Sequence, residues 1–176
     1  MHIYKGSRCD EWGTPPELLQ AIGLTDALDV CASAENHKFP NYWTKEDDCL
    51  SRDWPLDQWC WMNPPFSQAN AFFKKAANEA ERGVRIMAIY KASNLEIKTW
   101  QEVIFPTASA ILFLNKRTEY IGGGGKGVPF GSAIIYFNMV PVVDMKHLGT
   151  LLFLRMRSSA FHPLIDLIYS IVISIC

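Results

Sequence analysis

The sequence lacks several features that would assign it to a well-known class of protein. Its five cysteines are odd in number and form no Cys-x-x-Cys pair, which argues against a disulfide framework and against a zinc site. The first residues carry His2, Lys5 and Arg8 among few apolar side chains, unlike a signal peptide. The net charge of −1 excludes a generally basic nucleic-acid coat. We therefore expect a cytoplasmic protein with reduced thiols and no bound metal.

No segment of the chain is typical of a membrane span. Residues 163–176 are strongly apolar, but a helix needs roughly 20 such residues to cross a bilayer. We expect this segment to form a helix or strand that packs on the core, or an interface. The sequence thus predicts a main domain over residues 1–140 and an apolar extension over residues 141–176, whose function it does not indicate.

A phosphate-binding P-loop is also missing, although residues 122–127 contain five glycines. In a P-loop the lysine is followed by Ser or Thr and opens a helix. Here Lys126 is followed by Gly127, Val128 and Pro129. A glycine-rich hairpin loop between two strands is therefore the favoured interpretation.

The 176 residues, of which 49 % are hydrophobic, are sufficient for one domain with a full core. Apolar runs and helical periodicity alternate along the chain, which predicts a three-layer α/β sheet. The predicted helices cover residues 15–22, with Thr14 and Glu17 as a capping box, 68–82 and 96–104, with Pro106 ending the last. The predicted strands cover residues 27–32, 59–62, 84–90, 108–114 and 130–137.

Residues 59–66 contain the most informative pattern. Four bulky apolar residues end at Asn63, Pro64, Pro65 and Phe66, which is typical of a buried strand that stops at two prolines. In open α/β sheets, ligands bind just outside the carboxyl ends of the strands. The sequence therefore predicts one amide and one aromatic ring at the position expected for a binding site.

This turn is suited to bind a heterocyclic amine. The Asn63 side-chain oxygen and the Pro64 carbonyl can each accept a hydrogen bond, and the Phe66 ring can stack on a base rotated out of its duplex. A simpler alternative is a Pro-Pro turn that only ends the strand, with Asn63 capping the next helix.

The sequence Asn63-Pro64-Pro65-Phe66 resembles the [Asp/Asn/Ser]-Pro-Pro-[Tyr/Phe] motif of amino-methyltransferases. Together with Trp12-x-Thr14-Pro15, Leu28-Asp29, Asn36, Asp48, Trp54 and Gly131-Ser132, it resembles phage-type (Dam-like) DNA N6-adenine methyltransferases over about residues 10–138. The resemblance implies a Rossmann-like, S-adenosylmethionine-dependent methyltransferase sheet. It also implies a site-specific enzyme that methylates a flipped adenine in double-stranded DNA, with Asn63, Pro64, Pro65 and Phe66 as the catalytic residues.

The same resemblance implies a set of cofactor-binding residues. Trp12, Thr14 and Pro15 would cover the methionine end of S-adenosylmethionine. Asp48 would accept a hydrogen bond from the adenine amine of the same cofactor. Asp29 could receive the α-amino group or a ribose hydroxyl. The Gly-x-Gly loop of many methyltransferases is absent, because Ala32-Ser33-Ala34 follows this strand.

The basic residues Lys116, Arg117 and Lys126 flank or belong to the glycine-rich loop. Such side chains can lie along DNA phosphates, where they fix the position of the protein without reading sequence. Two alternatives stay open at this point: a methyltransferase acting on protein glutamine or RNA, and a degenerate DNA-binding module without catalytic activity.

Overall fold

The computed structural model describes residues 12–122, 128–139, 141 and 147–154. Its helices are α1 (Pro16–Ala21), α2 (Ala69–Glu81) and α3 (Phe105–Thr107), the last preceded by a π-helical segment, Thr99–Ile104. A short 3₁₀ turn covers Lys45–Asp47. The strands are β1 (Leu28–Asp29), β2 (Trp59–Met62), β3 (Arg85–Lys91), β4 (Ala110–Leu114), β5 (Ser132–Phe137) and β6 (Gly149–Phe153).

Within the described residues the strands form a six-stranded mixed sheet in the order β1-β2-β3-β5-β4-β6. The strands β1, β2 and β3 are parallel, and β5 is antiparallel to both of its neighbours. Lys91 at the carboxyl end of β3 is paired with Ser132 at the amino end of β5. The residues that follow β1, β2 and β3 and precede β5 therefore meet at one edge of the sheet.

Both faces of the central strand β3 are buried. Ile86, Ala88 and Tyr90 belong to an apolar cluster with Phe73 of α2 and Trp100 of the π-helical segment. The alternate residues Met87 and Ile89 belong to a second cluster, which includes Leu19 of α1, Trp61 and Tyr136. Burial of both faces explains why residues 85–91 are a nearly continuous apolar run. The predicted α/β class is confirmed.

The predicted start of α1 was wrong. The helix begins at Pro16, and Pro15 precedes it in an extended conformation without a side-chain cap. Thr14 is therefore too far from the first free N–H groups to cap them, and its hydroxyl is buried with no hydrogen-bond partner in the described part of the chain. The predicted capping box with Glu17 does not form.

Two other element boundaries also differ from the prediction. Strand β1 contains only Leu28 and Asp29, because the Asp29 carboxylate accepts the backbone N–H of Cys31 at 3.3 Å and the chain turns away from the sheet. Pro106 does not end the third predicted helix but lies in the first turn of α3.

Strand β6 comes from the region that the sequence assigned to the C-terminal extension. It is antiparallel to β4, with Gly149 opposite Leu114, and forms an edge of the sheet. The apolar segment 163–176 lies outside the described residues, so the proposed division of the chain at residue 140 stays a prediction. No helix in the described part of the chain is long and apolar enough to cross a membrane.

A buried carboxylate connects the loop before β2 to helix α2. Glu79 is 2 % exposed; it accepts the backbone N–H of Trp54 at 3.2 Å and forms ion pairs with Lys75 and Arg82. The Trp54 indole in turn donates to the Cys49 carbonyl at 2.8 Å. These contacts hold the loop that carries Asp48 against the body of the protein.

Candidate active site

Asn63 lies directly after β2, at the edge of the sheet where three parallel strands end. Its side-chain Nδ2 donates a hydrogen bond of 2.6 Å to the backbone carbonyl of Trp12. This bond defines the orientation of the amide, because the nitrogen faces Trp12 and the acceptor is then Oδ1. The catalytic candidate Asn63 and the cofactor-binding candidate Trp12 are thus in direct contact.

The segment around Trp12 is held in place by backbone pairing with a distant part of the chain. Gly13 and Ile121 exchange two backbone hydrogen bonds, of 3.0 and 2.8 Å. The Trp12 indole stacks on Tyr120 and on Phe130, with centroid distances of 5.8 and 5.9 Å. These contacts bring the N-terminal segment and the connection between β4 and β5 to the same side of Asn63.

The Phe66 ring lies in an aromatic cluster beside Asn63. It makes edge-to-face contacts with Trp12, Tyr90 and Phe130 at centroid distances of 5.6–6.0 Å. The ammonium of Lys91 lies 5.6 Å from the centre of the same ring. Phe66 is only partly buried, so its ring is held by neighbours and is still accessible to a ligand.

Pro64 and Pro65 form the rigid part of the turn. Pro64 is buried and Pro65 is half-buried. The Pro65 carbonyl accepts the N–H of Gln68 at 3.0 Å, which leads the chain into α2. The turn therefore fixes the spacing between the Asn63 amide and the Phe66 ring.

Asp29 ends β1 and is 3 % exposed. Its carboxylate accepts the backbone N–H groups of Lys38 and Cys31 at 3.0 and 3.3 Å. Burial raises the pKa of Asp29 to about 6, although both N–H groups and the positive charges of Lys38 and His37 oppose this effect. A buried carboxylate whose pKa stays raised despite these contacts is a candidate for binding a cation or a hydroxyl.

The loop that carries Asp48 is close to the end of β1. Asp48 is exposed, has a positive φ of 50° and ends the 3₁₀ turn. The thiol of the next residue, Cys49, interacts with the Cys31 thiol, and burial raises the pKa of Cys31 well above its usual value. The structure thus brings together the loops of the two predicted cofactor-binding acids.

Lys116 and Arg117 are exposed immediately after β4. Because β4 runs parallel to β3, these residues lie at the same edge of the sheet as Asn63. Lys126 lies outside the described residues. In the parts of the chain that are described, no three His, Cys, Asp or Glu side chains are grouped as a metal site would require.

Three residues near the site did not follow from the sequence. Lys38 contacts the site from the loop after β1, and Tyr120 and Phe130 pack against Trp12. No local pattern marks them, because Lys38 is placed by the bond from its backbone N–H to Asp29, and Tyr120 lies next to Ile121, which pairs with the distant Gly13. In the sequence, the only indication that these residues lie near the site is that each is a basic or aromatic residue close to a candidate loop.

The comparisons with known proteins agree with the motif. A family model described as DNA N-6-adenine-methyltransferase (Dam) matches residues 3–133. A protein of Escherichia phage T1 named DNA N-6-adenine-methyltransferase is 29 % identical over 161 residues, which cover 86 % of this chain and 66 % of the relative. A protein of the same name from Haemophilus phage HP1 is 29 % identical over 125 residues, 65 % of this chain and 72 % of the relative. The chain thus spans about two thirds of the length of the first relative.

Proposed function

The chain belongs to the DNA N-6-adenine-methyltransferase (Dam) family, and from this premise we propose that it methylates adenine N6 in double-stranded DNA, with S-adenosylmethionine as the methyl donor. The observation that carries the proposal is the Asn63 amide, oriented by the Trp12 carbonyl at 2.6 Å and located three residues before the Phe66 ring. We further propose that the six-stranded sheet is a Rossmann-like, three-layer methyltransferase sheet.

Asn63 and Pro64 act on the target amine. An exocyclic amine has two hydrogens, and the Asn63 Oδ1 and the Pro64 carbonyl oxygen are two acceptors on adjacent residues. As the nitrogen forms its new bond to the methyl carbon, the bond from that carbon to the donor sulfur would break and its electron pair would stay on the sulfur. The nitrogen gains positive charge in this step, and these two oxygen dipoles stabilise that charge. The same hydrogen bonds orient the nitrogen lone pair for attack. One proton of the amine is then lost to water.

Phe66 stacks on the flipped base. A flipped adenine has no stacking partner in the duplex, and an aromatic ring replaces that contact at roughly 1–3 kcal/mol per base. The neighbours Trp12, Tyr90 and Phe130 hold the ring at the site. Phe66 therefore pre-forms one wall of the base pocket.

The residues at the end of β1 are suited to the cofactor. S-adenosylmethionine, when bound, supplies an electrophilic methyl group on a positively charged sulfur. Asp29 provides a buried carboxylate for a cationic or hydroxyl group of this molecule, and Thr14 provides a buried hydroxyl without a partner in the described residues. Asp48, Trp12 and Pro15 complete the proposed cofactor-binding set. The absence of a Gly-x-Gly loop is compatible with this set, because the Asp29 carboxylate itself accepts the N–H groups that follow β1.

The proposed DNA contacts are Lys116, Arg117 and Lys126. Lys116 and Arg117 are exposed at the same edge of the sheet as Asn63, where cations would bind phosphates and position the target nucleotide. The base sequence that is recognised requires side chains in a groove, and the proposal does not specify them.

The test is methyl transfer from labelled S-adenosylmethionine to unmethylated duplex DNA, followed by identification of the modified nucleoside. N6-methyladenine is the expected product. Transfer to RNA or protein glutamine, with none to duplex DNA, would replace the proposed substrate. DNA binding with neither cofactor affinity nor transfer would identify a non-catalytic DNA-binding module instead.

A further inference from the structure

Lys38 lies between two elements of the candidate cofactor site. Its backbone N–H is hydrogen-bonded to the Asp29 carboxylate at 3.0 Å, and its side chain extends to Gly13. A Cβ atom at Gly13 would lie 2.7 Å from the Lys38 Nζ, so the ammonium occupies the space that glycine leaves open. One residue thus connects the end of β1 to the segment that orients Asn63.

The Lys38 ammonium lies in a partly enclosed position, where the Asp29 charge acts on it but no ion pair is formed within the described residues. The side chain is half-buried, and burial lowers its pKa although the Asp29 charge has the opposite effect. No hydrogen bond or ion pair of Nζ is present in the described part of the chain. A desolvated ammonium without a partner is costly unless a ligand supplies the negative charge.

A second polar group next to it also has no partner. Thr14 is fully buried, and its Oγ1 makes no hydrogen bond within the described residues. Buried hydroxyls are normally satisfied. Thr14 follows Gly13 directly in the chain, so the unpaired buried hydroxyl belongs to the residue next to the glycine that the Lys38 ammonium approaches.

We propose that Lys38 binds the α-carboxylate of an α-amino-acid group, with Asp29 binding the α-ammonium of the same group. This inference rests on the proposed function, in which S-adenosylmethionine supplies that group. A zwitterion carries one negative and one positive charge a short distance apart. Lys38 and Asp29 present the complementary charges, with Thr14 as an additional donor. Lys38 therefore selects for the amino-acid end of the cofactor, and the rest of the site selects for its adenosine and methyl groups.

The experiment compares two ligands in four proteins. S-adenosylmethionine and its decarboxylated analogue differ only in the α-carboxylate, and their dissociation constants are measured by titration calorimetry. The proteins are the wild type, Lys38→Met, Gly13→Ala and Lys74→Met. Lys38→Met removes the charge but keeps the backbone N–H to Asp29. Gly13→Ala keeps the charge but displaces the flexible end of Lys38. Lys74 is exposed on α2 and serves as the matched control.

The expected result is a loss of at least about tenfold in affinity for S-adenosylmethionine in Lys38→Met, as for a charge-assisted hydrogen bond. Gly13→Ala should lose affinity in the same direction, and Lys74→Met should match the wild type. For the decarboxylated analogue, Lys38→Met and wild type should bind equally. Equal affinity for S-adenosylmethionine, or equal losses for both ligands, would overturn the role of Lys38.

The outcome also separates this inference from the proposed function. If the wild type binds S-adenosylmethionine with the expected dependence on Lys38 but does not methylate DNA, the assignment of the substrate fails and the role of Lys38 stands. If the wild type binds the cofactor and methylates DNA with no dependence on Lys38, only this inference fails. No binding by the wild type would overturn both.

Discussion

The Asn63 amide donates to the backbone carbonyl of Trp12 at 2.6 Å, across a separation of 51 residues. The acceptor is a main-chain atom, so its position depends on the path of the backbone and not on the Trp12 side chain. That path is set by the paired hydrogen bonds between Gly13 and Ile121. The orientation of the catalytic candidate is therefore a consequence of long-range backbone pairing.

Asn63→Asp tests this orientation. The related motif permits Asp, but a carboxylate has no N–H and would place an oxygen opposite the Trp12 carbonyl. We expect methyl transfer to fall by about 100-fold or more, comparable to the removal of one preorganised polar group from a catalytic site. The measurement is single-turnover methylation of duplex DNA.

Asn63→Ala is the reference variant, expected to lose methylation and to retain cofactor affinity in calorimetry. Full activity in Asn63→Asp would show that the hydrogen bond to Trp12 is unnecessary, and full activity in Asn63→Ala would contradict the whole assignment.

Phe66→Leu tests the stacking contact. Leucine keeps apolar volume but removes the flat π-face, so DNA affinity or kcat/KM for DNA should fall by an amount equivalent to roughly 1–3 kcal/mol. The conservative variant Phe66→Tyr keeps the ring and should stay close to the wild type. Thermal unfolding of both variants controls for the contacts of Phe66 with Tyr90 and Phe130. Equal activity of the Leu and Tyr variants would show that the ring does not stack on the base.

The buried carboxyl of Asp29 should make stability depend on pH. Its pKa is raised from 3.8 to about 6 in the folded protein, so between these values the folded state binds more protons than the unfolded chain. The contribution of Asp29 to the free energy of unfolding is therefore greatest below pH 4, and it is lost as pH rises through 6. In Asp29→Asn this dependence is absent. Between pH 4 and pH 7 the variant should gain up to about 3 kcal/mol relative to the wild type.

The measurement for Asp29 is urea denaturation of both proteins across this pH range. The groups that face the carboxyl are Lys38, His37 and Cys31, and a parallel comparison in the His37→Gln background removes the contribution of the imidazole. A constant difference between wild type and Asp29→Asn at all pH values would show that Asp29 titrates normally.

Lys116→Ala and Arg117→Ala test the DNA contacts. A cation that neutralises one phosphate contributes about 1 to the slope of the logarithm of the DNA-binding constant against the logarithm of the salt concentration. We expect each variant to weaken binding similarly for different DNA sequences and to reduce this slope by about 1. Lys74→Ala on the exposed face of α2 is the control and should bind like the wild type. An unchanged slope in both variants would exclude this region from the DNA interface.

The amino-acid sequence by itself determined the elements whose signals are local. The apolar runs at Ile86 to Tyr90 and Ile111 to Leu114 predicted β3 and β4, because a strand buried on both faces needs such a run. The family was identified from short motifs, chiefly residues 63–66, and the family match confirms it. The individual functions of Asn63, Phe66, Asp29 and Asp48 stay predictions.

Only the tertiary structure decided how these elements meet. The short β1 depends on a side-chain acceptor at Asp29 that competes with the sheet, and β6 is placed beside β4 by a pairing that no local pattern encodes. The bond from Asn63 to Trp12 and the approach of Lys38 to Gly13 require three separate segments to be packed together first. Local sequence sets the conformational preference of a segment, whereas the contacts between distant segments depend on which pairing buries the most apolar surface and satisfies the backbone.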